Sequence, residues 1–315
     1  MDTVVGYGMY LVAILTMGGI YALLTLGLNL HWGYTGLMNV GIAGFVTVGA
    51  YTGAILTAPA SPSHLGGFEL PLAVGLLGAA AAAGAVAWLI GLTTLRLRSD
   101  YLAIATIGIG EILRMVARNE QWLTNGSQGM TNVPKAFDAL RSPWSEIAFL
   151  AVVLALVAVV YWLCERAYRS PWGRVQRAIR DNEYAAAAAG KHVERFRLES
   201  FVFGAMVMGL GGAMMAQLLR FVAPETAEPL MVTFLVWVML VAGGSGNNRG
   251  AVVGAFGIWL LWSLTDYLTR FLPDTLEARA SFVRIFLIGL ALQLILIYRP
   301  QGLIGERPPK GADER

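Results

Sequence analysis

Nine long apolar runs, separated by polar loops, constrain this chain more than any other feature of its sequence. A helix needs roughly 20 mainly apolar residues to cross the hydrocarbon core of a bilayer, with its backbone hydrogen bonds closed within the segment. Such runs lie near residues 8–30, 34–56, 70–91, 100–118, 145–164, 198–219, 230–243, 251–270 and 282–298. The short run 230–243 is expected to extend through Pro229. The sequence therefore predicts an all-α bundle of about nine transmembrane helices, within a range of eight to ten.

The composition agrees with a membrane protein. Of the 315 residues, 57% are apolar and 14% are charged, whereas soluble domains carry about 25% charged residues. The single cysteine, Cys164, excludes an intrachain disulfide and a cysteine-based metal cluster. The N-terminus lacks a basic region and a small-residue cleavage site, so its apolar run is expected to be retained as the first span.

The distribution of arginine and lysine predicts how the bundle is oriented. Cytoplasmic loops of membrane proteins are enriched in these residues, and here they concentrate in the loop 165–197. The N-terminus is therefore expected outside and the C-terminus in the cytoplasm. Residues 1–304 are expected to form one transmembrane domain, with a cytoplasmic loop at 165–197, an extracytoplasmic loop at 119–144 and a disordered cytoplasmic tail at 305–315.

The stretch from Asn29 to Gly53 is unusually rich in glycine and polar residues for a lipid-facing helix. One interpretation is a helix that packs tightly through small residues, which the spacing of Gly49 and Gly53 favours. The other is a broken or re-entrant segment that lines a pathway, since irregular backbone at membrane depth needs protein or a cavity around it. Both interpretations place the stretch inside the bundle.

The loop 165–197 is too long and too patterned for a simple connector. Ser170 and Pro171 form a favourable helix start, and Gly190 a favourable helix end. Apolar residues between them follow helical spacing, while Arg174, Arg177 and Asp181 share another face. A basic helix resting on lipid headgroups is one interpretation. The alanine run favours the other, a helix that docks into a groove of a cytoplasmic partner.

Glu111 and Arg114 are the clearest ionisable residues at membrane depth. They lie three residues apart and therefore share one helix face. An intrahelical ion pair that fixes helix packing is one interpretation, and a polar element of a transport path is the other. Asp266 is the next candidate, but it lies close to the end of a span.

The sequence offers no set of catalytic residues. It contains no Walker A motif, no zinc-binding HExxH spacing and no nucleophile–base pair, so an enzyme is the weakest interpretation. A transporter without its own ATPase is gradient-driven, a channel, or coupled to separate ATPase subunits.

Several blocks of sequence together resemble one family, the LivM-type permease subunits of bacterial ABC importers for branched-chain and other neutral amino acids. The resemblance covers nearly the whole chain. It rests on GLNLHWGYTGLMNVG (27–41), GAYTG (49–53), LRLRSDYLAIATIGIGEILR (95–114), LTNGSQGM (123–130), SPWGRVQRAIRDNEYAAAAAG (170–190) and VAGGSGNNRGAVVGA (241–255). Their order and spacing are more specific than any single block.

The resemblance implies a multi-pass protein of the bacterial inner membrane that forms half of a translocation path. Its implied partners are a second, LivH-type permease, two cytoplasmic ABC ATPases, an extracytoplasmic substrate-binding protein and membrane lipid. It implies no binding of nucleic acid. It implies no catalytic residue, metal or cofactor in this chain, with ATP and magnesium bound by the ATPases. Segment 170–190 would transmit ATPase closure to the membrane helices.

The resemblance and the residue patterns together give two sets of candidate site residues. The expected ATPase-coupling residues are Arg174, Arg177, Ile179, Arg180, Asp181, Glu183, Ala185, Ala186 and Gly190. The residues expected along the translocation path are Asn29, Tyr34, Asn39, Tyr51, Glu111 and Arg114.

The chain departs from the usual family pattern after Gly36, with Asn39, Ile42 and Ala43 where serine and histidine are more frequent. The cargo could therefore differ from that of other members, and urea or a short amide is an alternative to a neutral amino acid. A gradient-driven carrier or channel is the alternative from another class, although the scarcity of deep carboxylates speaks against it.

Overall fold

The computed structural model describes residues 2–97, 99–138, 140–269 and 274–306, and long helices dominate these ranges. Each apolar run of the sequence contains a helix, although the run 34–56 is helical only in part. The long helices are α1 (Asp2–Leu28), α2 (Ile42–Thr57), α3 (Leu72–Thr94), α4 (Ser99–Asn119), α6 (Trp144–Arg169), α9 (Val193–Leu219), α10 (Pro229–Gly243), α11 (Asn248–Thr269) and α12 (Asp274–Tyr298). The shorter ones are α5 (Gln121–Thr124), α7 (Pro171–Asp181) and α8 (Glu183–Ala188). The expected extension of the short run through Pro229 is confirmed.

Two short strands qualify the all-α prediction. Strands β1 (Met130–Thr131) and β2 (Phe221–Val222) pair antiparallel. They tie the loop 119–144 to the end of α9. This loop therefore carries α5, a 3₁₀ turn at Gly126–Gln128 and β1 within its described part.

Four described helices are long and apolar enough to cross a bilayer, and they differ in how deeply they are buried. About two thirds of the most apolar window is buried in Gly6–Tyr34 (67%) and in α9 (61%), against 33% in α3 and 28% in α6. Since all four are apolar around their circumference, the exposed faces of α3 and α6 are suited to lipid. Helices α1 and α9 form the centre of the bundle.

Small residues bring α2 and α9 into backbone contact. A Cβ atom added to Gly49 would lie 2.2 Å from the carbonyl oxygen of Gly209, and one added to Gly53 would lie 2.8 Å from the Cβ of Ala213. No larger residue fits at such distances. The predicted packing through Gly49 and Gly53 is therefore confirmed.

The predicted continuous run 34–56 is interrupted. Helix α1 passes into a π-helical turn at Asn29–Tyr34, and no helix is formed from Gly36 to Gly41, before α2 begins. We call residues 29–41 the helix break. Of the two interpretations of this stretch, the broken segment is confirmed at its start and the small-residue helix in α2.

The bundle has two distinguishable ends. At one, Arg96 after α3 pairs with Glu194 in α9 at 3.7 Å, and the carbonyl of Gly33 meets α7. At the other, Asp138 pairs with Arg220 beside the β1–β2 ladder. We call these the α7 end and the β1–β2 end. Helix α1 runs toward the α7 end, where the described part of the chain also finishes.

The predicted disordered tail begins at Gly305, but Gly305 and Glu306 pack against the α7 end. The carbonyl of Gly305 accepts a hydrogen bond from Asn247, and Glu306 forms an ion pair with Arg180. The rest of the predicted tail, 307–315, lies outside the described residues.

Candidate functional site

His31 and Asn39 hold the helix break together. The side-chain Nδ2 of Asn39 lies 3.0 Å from Nδ1 of His31, and Nε2 of His31 lies 2.8 Å from the carbonyl oxygen of Phe201 in α9. Because Phe201 offers only an acceptor there, these contacts fit a neutral imidazole that carries its proton on Nε2. The Oδ1 of Asn39 also accepts the backbone N–H of Gly41 at 2.8 Å. The pair thus closes the gap between the π-turn and α2.

The other helices around the break form hydrogen bonds with those backbone groups of the break that are not paired within a helix. Thr106 of α4 accepts the N–H of Val40 at 3.0 Å, and Trp237 of α10 donates to the carbonyl of Asn39 at 3.0 Å. Ser200 of α9 donates to the carbonyl of Leu30 at 2.6 Å. Since unpaired backbone groups are costly at membrane depth, this surrounding protein stabilises the irregular segment.

Asn29 and Tyr34 connect the break to α11. Asn29 donates to the side chain of Asn248 at 3.0 Å and accepts the N–H of Gly246 at 2.9 Å. The hydroxyl of Tyr34 lies 3.0 Å from the same Asn248 oxygen and 2.9 Å from the carbonyl of Cys164. Asn29, Tyr34 and Asn39 are each fully buried. In this conformation Asn29 and Tyr34 form a polar network through Asn248, Asn39 pairs separately with His31, and all three predicted path residues are closed to solvent.

Tyr51, a fourth predicted path residue, lies nearer the β1–β2 end. It packs in a cluster with Met130, Val133 and Val222, and its side chain is 5% exposed. Its hydroxyl is buried without a hydrogen-bond partner among the described residues. An unpaired buried hydroxyl is destabilising, so among the predicted path residues that the structure describes, Tyr51 is the one whose polar group gains nothing from the fold.

Glu111 and Arg114 form a bidentate ion pair within α4. The two bonds measure 2.7 and 2.9 Å, and the side chains are 34% and 22% exposed. Helix α4 packs on the break through Thr106 and Gly110, with Gly41 of the break in backbone contact. The predicted intrahelical pair is present, on a helix that touches the break.

Segment 170–190 forms two helices rather than one. The Ser170 side chain accepts the N–H of Gly173 at 3.3 Å, with Pro171 at the first helical position, as predicted. Asn182, however, adopts an extended backbone and its side chain accepts the N–H of Ala185 at 3.0 Å. It therefore ends α7 and caps α8. Gly190 follows α8 with a positive φ of 75°, which confirms the predicted helix end.

The predicted coupling residues in α7 and α8 fall on different faces. Ile179 and Ala186 are buried in a small cluster with Val193. Arg177 lies over the ring of Tyr168 at 4.0 Å, and Glu183 pairs with Arg197 at 2.8 Å. Four others point outward: Arg174, Asp181, Ala185 and Gly190. Arg180 differs from these four, because its side chain turns toward the bundle and bonds to Glu306.

Sequence reasoning missed His31, Gly204, Asn248 and Glu306. His31 is a lone imidazole within an apolar run, and Asn248 follows a Gly-Ser-Gly turn; both are weak signals of a buried network. Gly204 is required by His31, since a Cβ there would lie 2.2 Å from the imidazole Nε2. No local pattern distinguishes Gly204 from the other glycines of α9.

Comparison with known proteins supplies the family. The family model described as "branched-chain amino acid transport system / permease component" matches residues 10–297. The permease protein LivM of the high-affinity branched-chain amino acid transport system of Salmonella typhimurium is 32% identical, over 95% of this chain and 71% of its own length.

Two more distant relatives cover most of both chains. The probable branched-chain amino acid transport permease LivM of Methanocaldococcus jannaschii is 26% identical over 94% of this chain and 93% of its own. The permease LivH of the Escherichia coli high-affinity system is 24% identical over 91% and 94%, respectively. No solved structure matches the chain. The chain is thus a multi-pass membrane protein and belongs to the family of branched-chain amino acid transport permease components.

Proposed function

We propose that this chain is one permease subunit of an ATP-driven importer for branched-chain or other neutral amino acids in a bacterial inner membrane. The family and the LivM relatives support the transport class and the cargo. The chain forms half of the path, and a LivH-type permease forms the other half. Relatives of both kinds, LivM and LivH, align with almost all of this sequence.

The topology that we propose has nine crossings, with the N-terminus outside and the C-terminus in the cytoplasm. The two ends of the bundle support this orientation. Basic residues concentrate at the α7 end: Arg96, Arg166, Arg169, Arg174, Arg177, Arg180, Lys191, Arg195, Arg197, Arg249 and Arg299. Among the described residues, the β1–β2 end carries fewer: Arg118, Lys135, Arg141, Arg220 and Arg284. By the positive-inside rule the α7 end faces the cytoplasm.

The exposed outer face of α8 is the main structural support for an ATP-driven mechanism. Tyr184 is 84% exposed, and it stands beside exposed alanines at 185, 187 and 188. The face is fixed from behind by Ala186 against Ile179 and by the Glu183–Arg197 pair. A flat surface of small side chains around one aromatic ring suits insertion into a groove of another protein.

This arrangement supports a chain that hydrolyses no ATP itself. Two cytoplasmic ATPase subunits would receive α8 in their grooves, and a substrate-binding protein would deliver the cargo to the β1–β2 end. Ala185 faces the proposed groove, whereas Ala186 faces the protein's own core. A bulky residue at position 185 therefore tests docking, and one at position 186 would only disturb local packing.

The decisive experiment reconstitutes the chain with its partner permease, ATPases and binding protein in vesicles. Labelled leucine should enter only with ATP, and uptake should persist when an uncoupler removes the ion gradient. Uptake that needs the gradient and ignores ATP would identify a secondary carrier. Preference of the loaded binding protein for urea over leucine would identify the alternative cargo.

The variant Ala185→Trp tests the docking surface in the same vesicles. Overpacking an interface costs about 1–3 kcal/mol, so ATPase affinity should fall by about tenfold. Thr93→Trp is the matched control, because Thr93 is exposed at the same end on α3 and bonds only to its own helix. Equal ATPase binding by both variants would contradict the role of α8.

Tyr51 provides the test of the path. Removing an unpaired buried hydroxyl leaves the folded protein as stable or more stable, so Tyr51→Phe should keep its abundance in the membrane. We expect its leucine uptake to fall, because the hydroxyl would meet the passing solute. Unchanged uptake would remove Tyr51 from the path.

The variant Glu111→Gln separates the two interpretations of the Glu111–Arg114 ion pair. A lower abundance of the protein in the membrane indicates a role in helix packing. Lower leucine uptake at unchanged abundance indicates a role in the path.

A further inference from the structure

The guanidinium of Arg180 joins three parts of the chain at the α7 end. Its Nη1 donates to the carbonyl of Gly33, at the end of the π-turn. Its Nη2 lies 3.0 Å from the carboxylate of Glu306, and its Nε lies 3.1 Å from Asp181. A planar guanidinium can donate in all three directions at once, whereas an ammonium group cannot reproduce that fork. Arg180 thus connects α7 to both the helix break and the end of the described chain.

The segment Gly302–Glu306 is itself bound to the turn between α10 and α11. The N–H groups of Leu303 and Ile304 donate to the carbonyls of Ala242 and Gly243 at 2.8 and 2.9 Å. A Cβ added to Gly244 would lie 2.3 Å from the carbonyl oxygen of Ile304. The backbones are in direct contact, so this segment and the α10–α11 turn are expected to move together.

The surroundings of Arg180 leave little free space. A Cβ on Gly36 would lie 3.3 Å from its Cγ, and a Cβ on Gly246 would lie 3.2 Å from its Nη1. Burial lowers the pKa of Arg180, but the nearby carboxylates of Glu306 and Asp181 outweigh it and raise the pKa above its ordinary value. The side chain therefore stays charged and is held on two sides by glycine backbone.

We infer that Arg180 and Glu306 are positioning residues that transmit movement of α7 to the helix break and to the α10–α11 turn. The inference rests on the function proposed above, in which ATPase closure displaces α7 and α8. Asn29, within the break, accepts the N–H of Gly246 and donates to the side chain of Asn248 at the start of α11. A displacement of Arg180 therefore acts on both sides of the buried polar network through Gly33 and Glu306.

Elsewhere in the described part of α7 the hydrogen bonds do not reach the break, although the ring of Trp172 packs against Tyr34 of the break with the ring centroids 6.5 Å apart. Arg177 and Trp172 bond to Tyr168 and Glu199, which lie in α6 and α9 near the same surface. Arg174 is exposed, and its guanidinium donates a long hydrogen bond of 3.4 Å to the backbone carbonyl of Arg169. Among these α7 side chains, Arg180 makes the bond to the π-turn.

The test uses the reconstituted importer and measures leucine imported per ATP hydrolysed. Arg180→Lys keeps the charge but loses the fork, and Glu306→Gln keeps the shape but loses the charge. Changes along a coupling route alter coupling about two- to thirtyfold, and we expect each variant to lower the ratio within that range. Arg169→Lys is the control, since Arg169 is 65% exposed and pairs only within its own helix.

The double variant Arg180→Lys/Glu306→Gln should be no worse than Arg180→Lys alone, because loss of the guanidinium already disrupts the contact with Glu306. A ratio equal to that of Arg169→Lys in both single variants would overturn the inference, and so would multiplied effects in the double variant. Loss of both single variants from the membrane would assign the contact to folding and overturn it as well. Failure of the unsubstituted importer to use ATP would instead reject the proposed function.

Discussion

The helix break joins α1 to α2 within the bundle and the α7–α8 segment joins α6 to α9 at its surface, and opposite interactions stabilise these two connections. The break is held mainly by buried hydrogen bonds between uncharged groups, with His31 and Asn39 fully enclosed and Arg180 as a charged donor to Gly33. The α7–α8 segment is held by a small apolar cluster and by half-exposed ion pairs such as Glu183–Arg197. The stability of the break depends on close packing, and that of the α7–α8 segment depends on charged groups at the surface.

This difference indicates which region can move at low cost. Opening a buried polar network leaves groups unpaired in a low-dielectric environment, which costs about 1–3 kcal/mol for each group. Exposed ion pairs contribute about 0–1 kcal/mol and can exchange partners with water or another protein. The α7–α8 segment is therefore suited to receive a movement, and the break to respond to it as a unit.

The largest expected loss of stability concerns the helix break, the more rigid of the two regions. Gly204→Ala places a methyl group 2.2 Å from Nε2 of His31 and 2.6 Å from the carbonyl of Gly27. The clash and the lost hydrogen bonds together should lower the free energy of unfolding by about 4 kcal/mol. Thermal unfolding in detergent and the amount of protein in the membrane measure this loss. Gly108→Ala is the control, since a Cβ there meets nothing within 4 Å; an equal loss in both would contradict the account of His31.

A smaller loss is expected from Asn39→Ala. The change leaves Nδ1 of His31 and the N–H of Gly41 unpaired, since both bond to the Asn39 side chain. The free energy of unfolding should fall by about 2–3 kcal/mol. The same unfolding assay checks it, and a variant as stable as the parent protein would show that the pair does not hold the break.

The smallest effect is expected in the α7–α8 segment, and it sharpens the comparison. Gly190→Ala meets no steric contact, but its φ of 75° disfavours a side chain. The expected loss is about 1 kcal/mol, confined to the end of α8. Global thermal unfolding should change little, while hydrogen exchange in residues 183–190 should become faster. A loss as large as that of Gly204→Ala would place this segment in the core.

Much of the fold could be predicted because lipid imposes a simple requirement on sequence. Each apolar run contains a helix, and Pro229 extended the shortest one as expected. The cap of Ser170 was readable because it depends on residues three positions apart. The split at Asn182 was not predicted, since the helical spacing of the flanking alanines concealed a second cap.

The partners of the break could not be read from sequence. Asn29, Tyr34 and Asn39 were selected by their polarity, but His31 meets a carbonyl 170 positions away and Asn29 meets a side chain 219 positions away. Local patterns carry no information on such pairs. The same holds for Arg180, which sequence reasoning directed outward to a partner and the structure turns inward to Glu306.

The segment Gly302–Glu306 follows α12 in the sequence, and this order has a consequence for biosynthesis. A ribosome releases α1 and α7 long before residues 302–306 emerge, so the junction around Arg180 is closed last. Until then the α10–α11 turn lacks its backbone partners Leu303 and Ile304. A chain truncated before Gly302 would lack this contact, so the ion pair that joins α7 to the α10–α11 turn depends on a residue made after the nine long helices.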